Sequence, residues 1–350
     1  MGHRMLLACP IVLLVCAMVR TQTLTHLEDG AGSYFEEGWT IGAPGDLNGD
    51  GVPDILVGCT DSVLGPGSVR VLSGVDGVLL APSLTGEVGG SRFGASLDGG
   101  RDIDLDGVPD FIVGAPEYDQ GLIFDDRGRA YAYSGISGAL IYTFTGSAPG
   151  EEAGTAVALL GDLDGDGHSE FAVGAPGAVA GSGRVTVLSG ATGLVFLTLD
   201  GQSAGDRFGA ALASIQDVDG DNVGDLLVGA PFNSTANVEG RVYLFSGATG
   251  AQIWSQPGVQ AQEHFGWSVA GLGDVDGDSV PDLIAGAPDH NGPLPDTGRA
   301  CVCSGATGAV IWEVFGPQIY MKAGLDVDGT GDLNGNGVDD VLVGMPYLPP

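Results

Sequence analysis

Six short acidic stretches of this chain place oxygen-bearing side chains at a spacing that suits metal binding. Each stretch is nine residues long and has Asp, Asn or Glu at its positions 1, 3, 5 and 9. The six stretches are 46–54, 102–110, 162–170, 217–225, 274–282 and 332–340. Calcium is a hard cation that takes roughly six to eight oxygen ligands, and closely spaced carboxylates supply them. The stretches therefore predict six calcium loops that hold about five to six calcium ions.

The predicted ligands are the side chains at positions 1, 3, 5 and 9 and the backbone carbonyl at position 7. Position 6 is Gly in four loops, which allows a sharp turn, while Asn222 and Ser279 replace it in the other two. The predicted ligand residues are Asp46, Asn48, Asp50, Val52, Asp54, Asp102, Asp104, Asp106, Val108, Asp110, Asp162, Asp164, Asp166, His168, Glu170, Asp217, Asp219, Asp221, Val223, Asp225, Asp274, Asp276, Asp278, Val280, Asp282, Asp332, Asn334, Asn336, Val338 and Asp340. We expect the His168 side chain to point to solvent.

Other interpretations of the acidic stretches explain the pattern less well. Ordinary Asp-Gly turns would account for one copy, but six copies with up to four carboxylates each would repel themselves without a cation. An EF-hand needs Glu at position 12, and the first copy has Val57 there, inside an apolar run. Magnesium is disfavoured because it keeps its water ligands.

The loops belong to a longer internal repeat, since their first residues are 56, 60, 55, 57 and 58 residues apart. A Phe-Gly pair stands nine residues before three loops, at Phe93, Phe208 and Phe265. Each loop is followed by a short apolar run, and five units continue into a run that ends in Ser-Gly. These runs are too short for helices and give about four strands per unit. The chain is therefore predicted to be all-β, a β-propeller with roughly four antiparallel strands per blade.

The succession Phe-Gly, Asp-x-Asp-Gly-Asp and Gly-Ala-Pro resembles the FG-GAP repeat of integrin α-subunit head propellers and of bacterial secreted proteins. The resemblance implies a propeller with calcium in the loop between the first two strands of a blade. A non-enzymatic adhesion or interaction module with a protein or glycan partner at the propeller face is favoured, because the repeats fill the chain and leave no insertion for an active site. No nucleic-acid partner is expected, because 45 acidic against 12 basic residues give a net charge of −33.

The sixth unit differs from the others, because the run ending in Ser-Gly does not follow its loop. FG-GAP propellers usually have seven blades, whereas this chain shows six loops. We expect six recognisable blades with the last one incomplete, either through truncation or because another chain completes it. Residues 24–27 could add one outer strand to that blade.

Residues 1–17 are predicted to be a signal peptide, with a short basic start and an apolar run too short to span a membrane comfortably. A lipoprotein processed at Cys16 is the alternative, although Val15 fits that motif poorly. Residues 18–350 are then the propeller domain, without a transmembrane segment, in a secreted or cell-surface protein. Of its three cysteines, Cys301 and Cys303 fall on one face of a predicted strand and are expected to be small buried residues.

No catalytic residue and no organic cofactor is predicted. The Ser-Gly turns recur once per unit, whereas a nucleophile would be singular, and no Gly-x-Ser-x-Gly motif occurs. The alternative function is an extracellular polysaccharide hydrolase or lyase that uses the propeller channel. A cluster of acidic, His or Tyr residues at the channel mouth, outside the repeat pattern, would favour it.

Overall fold

The computed structural model describes residues 35–61, 65–121, 125–232 and 239–346. Within them the chain forms antiparallel sheets joined by tight turns and one short helical segment. The predicted signal peptide and the strand expected at residues 24–27 lie outside these residues. The boundary between residues 17 and 18 therefore stays a prediction.

The strands form five four-stranded sheets and one two-stranded sheet in chain order. The first sheet contains β1 (Phe35–Gly42), β2 (Ile55–Asp61), β3 (Ser68–Leu72) and β4 (Leu84–Thr85). The second contains β5 (Ser96–Arg101), β6 (Asp110–Ala115), β7 (Arg129–Tyr133) and β8 (Leu140–Thr145). The third contains β9 (Ala156–Leu159), β10 (Phe171–Ala175), β11 (Arg184–Leu188) and β12 (Val195–Asp200), with the short segment α1 (Ala178–Gly181) between β10 and β11.

The fourth sheet contains β13 (Ala211–Ile215), β14 (Asp225–Ala230), β15 (Arg241–Phe245) and β16 (Gln252–Pro257). The fifth contains β17 (Val269–Gly271), β18 (Leu283–Ala287), β19 (Arg299–Cys303) and β20 (Val310–Phe315). The sixth contains β21 (Val327–Gly331) and β22 (Asp340–Val343). Each sheet is one blade, and within it each strand pairs with the next along the chain.

The first strands of successive blades contact one another, from β1 through β5, β9, β13 and β17 to β21. These strands are therefore the innermost ones and surround the propeller axis. The predicted fold class is confirmed, since the chain is an all-β propeller with four antiparallel strands per blade. The expectation about the sixth blade also agrees with the structure, since its described residues form only two strands.

The second strand of a blade is sandwiched between two neighbouring blades, which explains its continuous apolar sequence. Every residue of β6, β10 and β14 is buried. The fourth strand lies at the rim, and most residues of β8 and β12 are half-buried or exposed. A run of apolar residues after each acidic loop is thus the mark of a strand covered on both faces.

The Phe-Gly and Gly-Ala-Pro signatures meet at the junctions between blades. A Cβ atom on Gly174 would lie 2.0 Å from the carbonyl oxygen of Gly209 in the next blade, so no larger residue fits there. Phe208 is buried, and its backbone forms a parallel bridge with Gly183 of the preceding blade. The repeat signature therefore records the close approach of successive blades.

The cysteine prediction is confirmed, since Cys301 and Cys303 are buried in β19 with free thiols. Both belong to the apolar core between the fourth and fifth blades. In the described part of the chain, no helix has the length and apolar character needed to cross a bilayer.

Candidate metal centre

Each acidic loop is folded around its position 1 carboxylate, which accepts hydrogen bonds from the backbone of the loop itself. In the third loop, Asp162 Oδ1 accepts from the N–H groups of Gly165 at 2.7 Å and Asp166 at 3.1 Å. Its Oδ2 accepts from the N–H of Gly167 at 2.9 Å. The same arrangement is built around Asp46, Asp217, Asp274 and Asp332. The loop conformation is therefore set by the side chains predicted to bind the ion.

The side chain at position 9 connects the loop to the rest of its blade through hydrogen bonds. The carboxylate of Glu170 is fully buried and accepts from Leu163 N at 2.6 Å and from Gly190 N at 3.4 Å. Gly190 belongs to the Ser-Gly turn between the third and fourth strands, so this bond connects the two repeat motifs. In four other blades the N–H of the turn glycine donates to the position 9 carboxylate in the same way at 2.8–3.1 Å, namely to Asp54, Asp110, Asp225 and Asp282.

Four of the loops gather three carboxylates into one small volume. In each, one oxygen from each of positions 1, 3 and 9 lies within 4.8 Å of the others, so the group could hold a metal ion. The groups are Asp102, Asp104 and Asp110; Asp162, Asp164 and Glu170; Asp217, Asp219 and Asp225; and Asp274, Asp276 and Asp282. The carboxylates at position 5 are not part of these groups, and each accepts the N–H of position 7 instead.

Burial makes these position 9 carboxyls costly to ionise. Desolvation raises the pKa of Asp110, Glu170 and Asp225 to about 6, and backbone hydrogen bonds only partly oppose it. The neighbouring loop carboxylates raise these pKa values further through repulsion. The pKa of Asp282 is raised for the same reasons. A divalent cation between the carboxylates would remove this repulsion, so the donor set fits a hard cation.

The first and sixth loops depart from this arrangement because both have Asn at position 3. In the sixth loop, Asn334 Nδ2 donates to Asp340 Oδ1 at 2.8 Å and to Oδ2 at 3.1 Å. In the first loop, Asn48 Oδ1 accepts from Asp50 N at 2.9 Å. An amide group thus donates hydrogen bonds to the position 9 carboxylate of the sixth loop.

Positions 6 and 7 test two further expectations. Asn222 and Ser279 have φ values of 70° and 72°, so they adopt the left-handed conformation that Gly takes in the other loops. His168 was expected to point to solvent, and this expectation is wrong. Its ring Nδ1 lies 2.7 Å from the carbonyl oxygen of Ile103 in the second blade, because successive loops pack against each other. The ligand role of the position 7 carbonyls stays a prediction.

Sequence reasoning missed an acidic pair on the inner strands. Asp98 in β5 and Asp328 in β21 occupy equivalent repeat positions, and Asp328 raises the pKa of Asp98. Burial is the larger cause and brings that pKa to about 6. Asp98 accepts from Leu159 N at 2.7 Å and Gly99 N at 2.8 Å. The sequence does show that these two aspartates depart from the repeat. The equivalent position is alanine in the third, fourth and fifth units, at Ala158, Ala213 and Ala270.

Comparison with known protein families gives one matching family. The FG-GAP repeat model matches residues 38–72, 93–133, 153–188, 208–245 and 265–302, which together make up more than half of the chain. The five matched segments correspond to the first five blades, from the first strand to the third.

Among the curated proteins the chain is similar to integrin α-subunits. Integrin alpha-5 of Xenopus laevis is 32% identical over 248 residues, which cover 65% of this chain and 23% of that protein. Integrin alpha-V of Gallus gallus is 31% identical over 204 residues, covering 53% of this chain and 19% of that protein. The chain thus spans about a fifth of the length of these relatives.

Solved structures resemble the fold. Sqt1 of Saccharomyces cerevisiae superposes with a TM-score of 0.50 at 12% identity, covering 84% of this chain and 67% of that chain. The biofilm matrix protein Bap1 of V. cholerae gives a TM-score of 0.44 at 20% identity, covering 78% of this chain and 38% of that chain. At 12% identity the likeness to Sqt1 concerns the fold alone.

Proposed function

The chain belongs to the FG-GAP repeat family, and we propose on that premise that it is an extracellular calcium-binding β-propeller acting as a non-enzymatic adhesion or interaction module. The similarity to integrin α-subunits supports the adhesion role. The observation that carries the calcium proposal is the grouping of three carboxylates at the same positions of four loops. A protein or glycan ligand at a propeller face is the proposed partner.

Calcium is the proposed ion because the donor set consists of carboxylate, amide and carbonyl oxygens. Carboxylates at positions 1, 3 and 9 would supply the charged ligands, and position 5 and the position 7 carbonyl would complete the shell. Calcium accepts such variable geometry, whereas magnesium requires a near-ideal octahedron and keeps several waters. The second to fifth loops would bind most tightly, and the first and sixth more weakly because each has fewer carboxylates.

Equilibrium dialysis of the purified, chelator-treated protein against increasing calcium tests the metal proposal. We expect at least four ions per chain, with half-saturation at about 10⁻⁴–10⁻³ M as in extracellular modules. Magnesium at the same concentrations should not displace them. Fewer than one bound ion per chain at 10 mM calcium would contradict the proposal.

The adhesion role needs a separate test, because calcium binding alone does not imply it. The immobilised protein should retain a protein or glycan from extracellular matrix extracts in millimolar calcium and release it in EDTA. Equal retention on a heat-denatured sample would show that the capture is non-specific. Secretion is tested independently by N-terminal sequencing of the exported protein, which should begin at residue 18.

The alternative of a polysaccharide-acting enzyme would use the inner-strand acids. Asp98 has the raised pKa that a general acid needs, but both of its oxygens accept backbone N–H groups. One of those bonds comes from Leu159 in the third blade, so the carboxylate connects neighbouring blades. This geometry favours a structural role, and the binding module remains our proposal.

A further inference from the structure

A cavity of about 450 Å³ lies at the junction of the first and second blades. Its walls are the segment 80–84 of the first blade and the turn 135–138 of the second. Val71 and Phe111 lie at its floor, and Leu47 and Asn48 of the first acidic loop complete the lining. Most of these residues present apolar surface. The cavity lies on the face of the propeller that carries the acidic loops, since those loops and the Ser-Gly turns lie at the same ends of the strands.

At the next three junctions a large side chain from the fourth strand occupies the corresponding place. A Cβ atom on Gly193 would lie 2.5 Å from Tyr142 Cδ1, and one on Gly250 would lie 2.5 Å from Leu197 Cδ1. A Cβ atom on Gly308 would lie 3.1 Å from Trp254 Cε3. The equivalent glycine of the second blade, Gly138, would meet no atom within 4 Å. Among these four junctions of the described residues, the space is therefore open at the first and filled at the other three.

The sequence of the first blade explains this difference. Val69 pairs with Leu84 as Ala130 pairs with Phe144, and this register places Pro82 where the second blade has Tyr142. Proline has no N–H to donate to the neighbouring strand, so β4 contains only Leu84 and Thr85 while β8 has six residues. The small ring of Pro82 leaves the turn of the second blade uncovered.

We propose that this cavity binds an aromatic side chain of a partner polypeptide, in the position that Tyr142 and Trp254 occupy at the sister junctions. Tyr142 stacks on Phe171 with ring centroids 6.4 Å apart and planes 15° apart, and Phe111 is the equivalent residue at the cavity floor. Phe111 is 1% exposed and already stacks on Tyr133, with ring centroids 5.6 Å apart, so an inserted aromatic group would pack against this pair from the cavity side. Buried aromatic anchors of this kind dominate the energy of many interfaces.

The sister junctions also indicate the polar contact that such a side chain would make. Tyr142 Oη donates to the carbonyl of Ala191 at 3.0 Å, and Trp254 Nε1 donates to that of Gly305 at 2.6 Å. The equivalent residues Ile136 and Gly135 line the cavity, so their carbonyls can accept from a phenol or an indole. A donor on the aromatic ring is therefore part of the proposed ligand chemistry.

Charge restricts the partner further. The adjacent loop carries Asp46, Asp50 and Asp54, and the whole chain has a net charge of −33. A segment with acidic residues beside its aromatic anchor would be repelled. The proposed partner is accordingly a neutral or basic segment with an exposed Tyr or Trp.

Saturation-transfer NMR with N-acetyl-tyrosinamide and N-acetyl-tryptophanamide, in millimolar calcium, tests the proposal. Two variants fill the cavity from opposite walls, namely Pro82→Tyr from the first blade and Ile136→Trp from the second. Ile136 is 62% exposed, so its replacement should not disturb folding even where Pro82→Tyr does. We expect binding to the unmodified protein and at least tenfold weaker binding to each folded variant.

The matched control opens a second cavity. Tyr142→Ala removes the occupant of the second junction and should add a second probe site to a protein that keeps the first. Peptides selected from a random library on the unmodified protein, with counter-selection on the filled variant, should be enriched in Tyr or Trp. Absence of probe binding, equal binding to the filled variants, or selected peptides without aromatic enrichment would each overturn the proposal.

Discussion

The third and sixth blades carry the same nine-residue loop pattern but use it differently. In the third blade, Asp162, Asp164 and Glu170 bring three carboxylate oxygens within 4.8 Å, and the strand that follows is completely buried. In the sixth blade, the amide of Asn334 donates to both oxygens of Asp340, and β22 is only half-buried. The loop backbones are nevertheless folded by the same hydrogen bonds to position 1.

The comparison shows two separate roles within the loop. Position 1 determines the backbone conformation, whereas positions 3 and 9 determine how many negative charges lie close together. The position 1 carboxylate accepts the same backbone hydrogen bonds whether or not position 3 is acidic. The difference arises at position 3, where Asp adds a charge beside position 9 and Asn supplies a hydrogen-bond donor. We therefore expect a bound cation to contribute most to stability in the loops where position 3 is Asp.

The largest expected effect is the loss of stability when calcium is removed by a chelator. At a tenfold excess of free calcium over Kd, one site adds about 1.4 kcal/mol to the free energy of unfolding. Four loops of the third-blade type would add on the order of 6 kcal/mol, comparable to the stability of a whole domain. EDTA should lower the melting temperature by about 10 °C or more in differential scanning calorimetry.

The control for chelation is EDTA already saturated with calcium, which should leave the melting curve unchanged. Hydrogen exchange then locates the effect within the molecule. Chelation should reduce amide protection at 171–175 in the third blade more than at 340–343 in the sixth. Melting curves that coincide with and without free EDTA would contradict the calcium assignment.

A smaller effect concerns pH in the chelated protein. Burial raises the pKa of Glu170 to about 6, above its ordinary value of 4.5, so the folded state holds this proton more tightly than the unfolded state. The contribution of Glu170 to stability is fully present below pH 4.5 and is lost as pH rises through 6. The expected loss is about 2 kcal/mol. Glu170→Gln should remove this part of the slope in urea unfolding curves measured between pH 4 and 7.

The matched control for this slope is Glu117→Gln. Glu117 is an exposed residue that forms an ion pair with Arg92 outside the loops. Its replacement should leave the pH dependence of unfolding unchanged. An identical slope in the Glu170→Gln protein and the unmodified protein would show that Glu170 ionises normally in the folded state.

The repeat itself explains why so much of this fold was predictable from sequence. The loops, the buried second strands and the Ser-Gly turns each recur at a fixed spacing, and the same local physics acts in every blade. Position 9 illustrates this, because one buried carboxylate connects loop and turn in five blades. A pattern that occurs six times in one chain therefore predicts the fold more strongly than a single motif would.

The features that escaped prediction are those that depend on contacts between blades. The bond from His168 to the carbonyl of Ile103 crosses from one blade to the next, and no pattern within a single repeat encodes it. Pro82 and Asp98 were visible as departures from the repeat, but their consequences depend on the neighbouring blade. The cavity beside Pro82 arises only because the turn at 135–138 packs against it.

Exchanging position 3 within the third blade tests the comparison directly. Asp164→Asn gives the third loop the position 3 residue of the sixth and removes one carboxylate from its group. We expect about tenfold weaker calcium binding at that loop, equivalent to about 1.4 kcal/mol. Isothermal titration calorimetry should show one site fewer in the tight class. The control Asp76→Asn changes an exposed aspartate outside the loops and should leave all sites as they are.

The converse exchange in the sixth blade should have the smallest effect, because β22 is less buried and restrains its loop less firmly than β10 does. Asn334→Asp with Asn336→Asp raises the number of carboxylates at the ligand positions from two to four. Calcium affinity at this loop should rise by up to tenfold, because the added charges attract the ion.

The same double substitution should lower the melting temperature of the chelated protein, since the hydrogen bonds from Asn334 to Asp340 are lost and two like charges are added. For the double variant, calorimetry should therefore show a higher calcium affinity, whereas thermal unfolding in EDTA should show a lower melting temperature. Asn48→Asp is the matched variant in the first loop, where the side-chain oxygen of Asn48 accepts a hydrogen bond from Asp50 N. Tighter binding without any loss of stability in EDTA would show that the amide of Asn334 does not substitute for a cation.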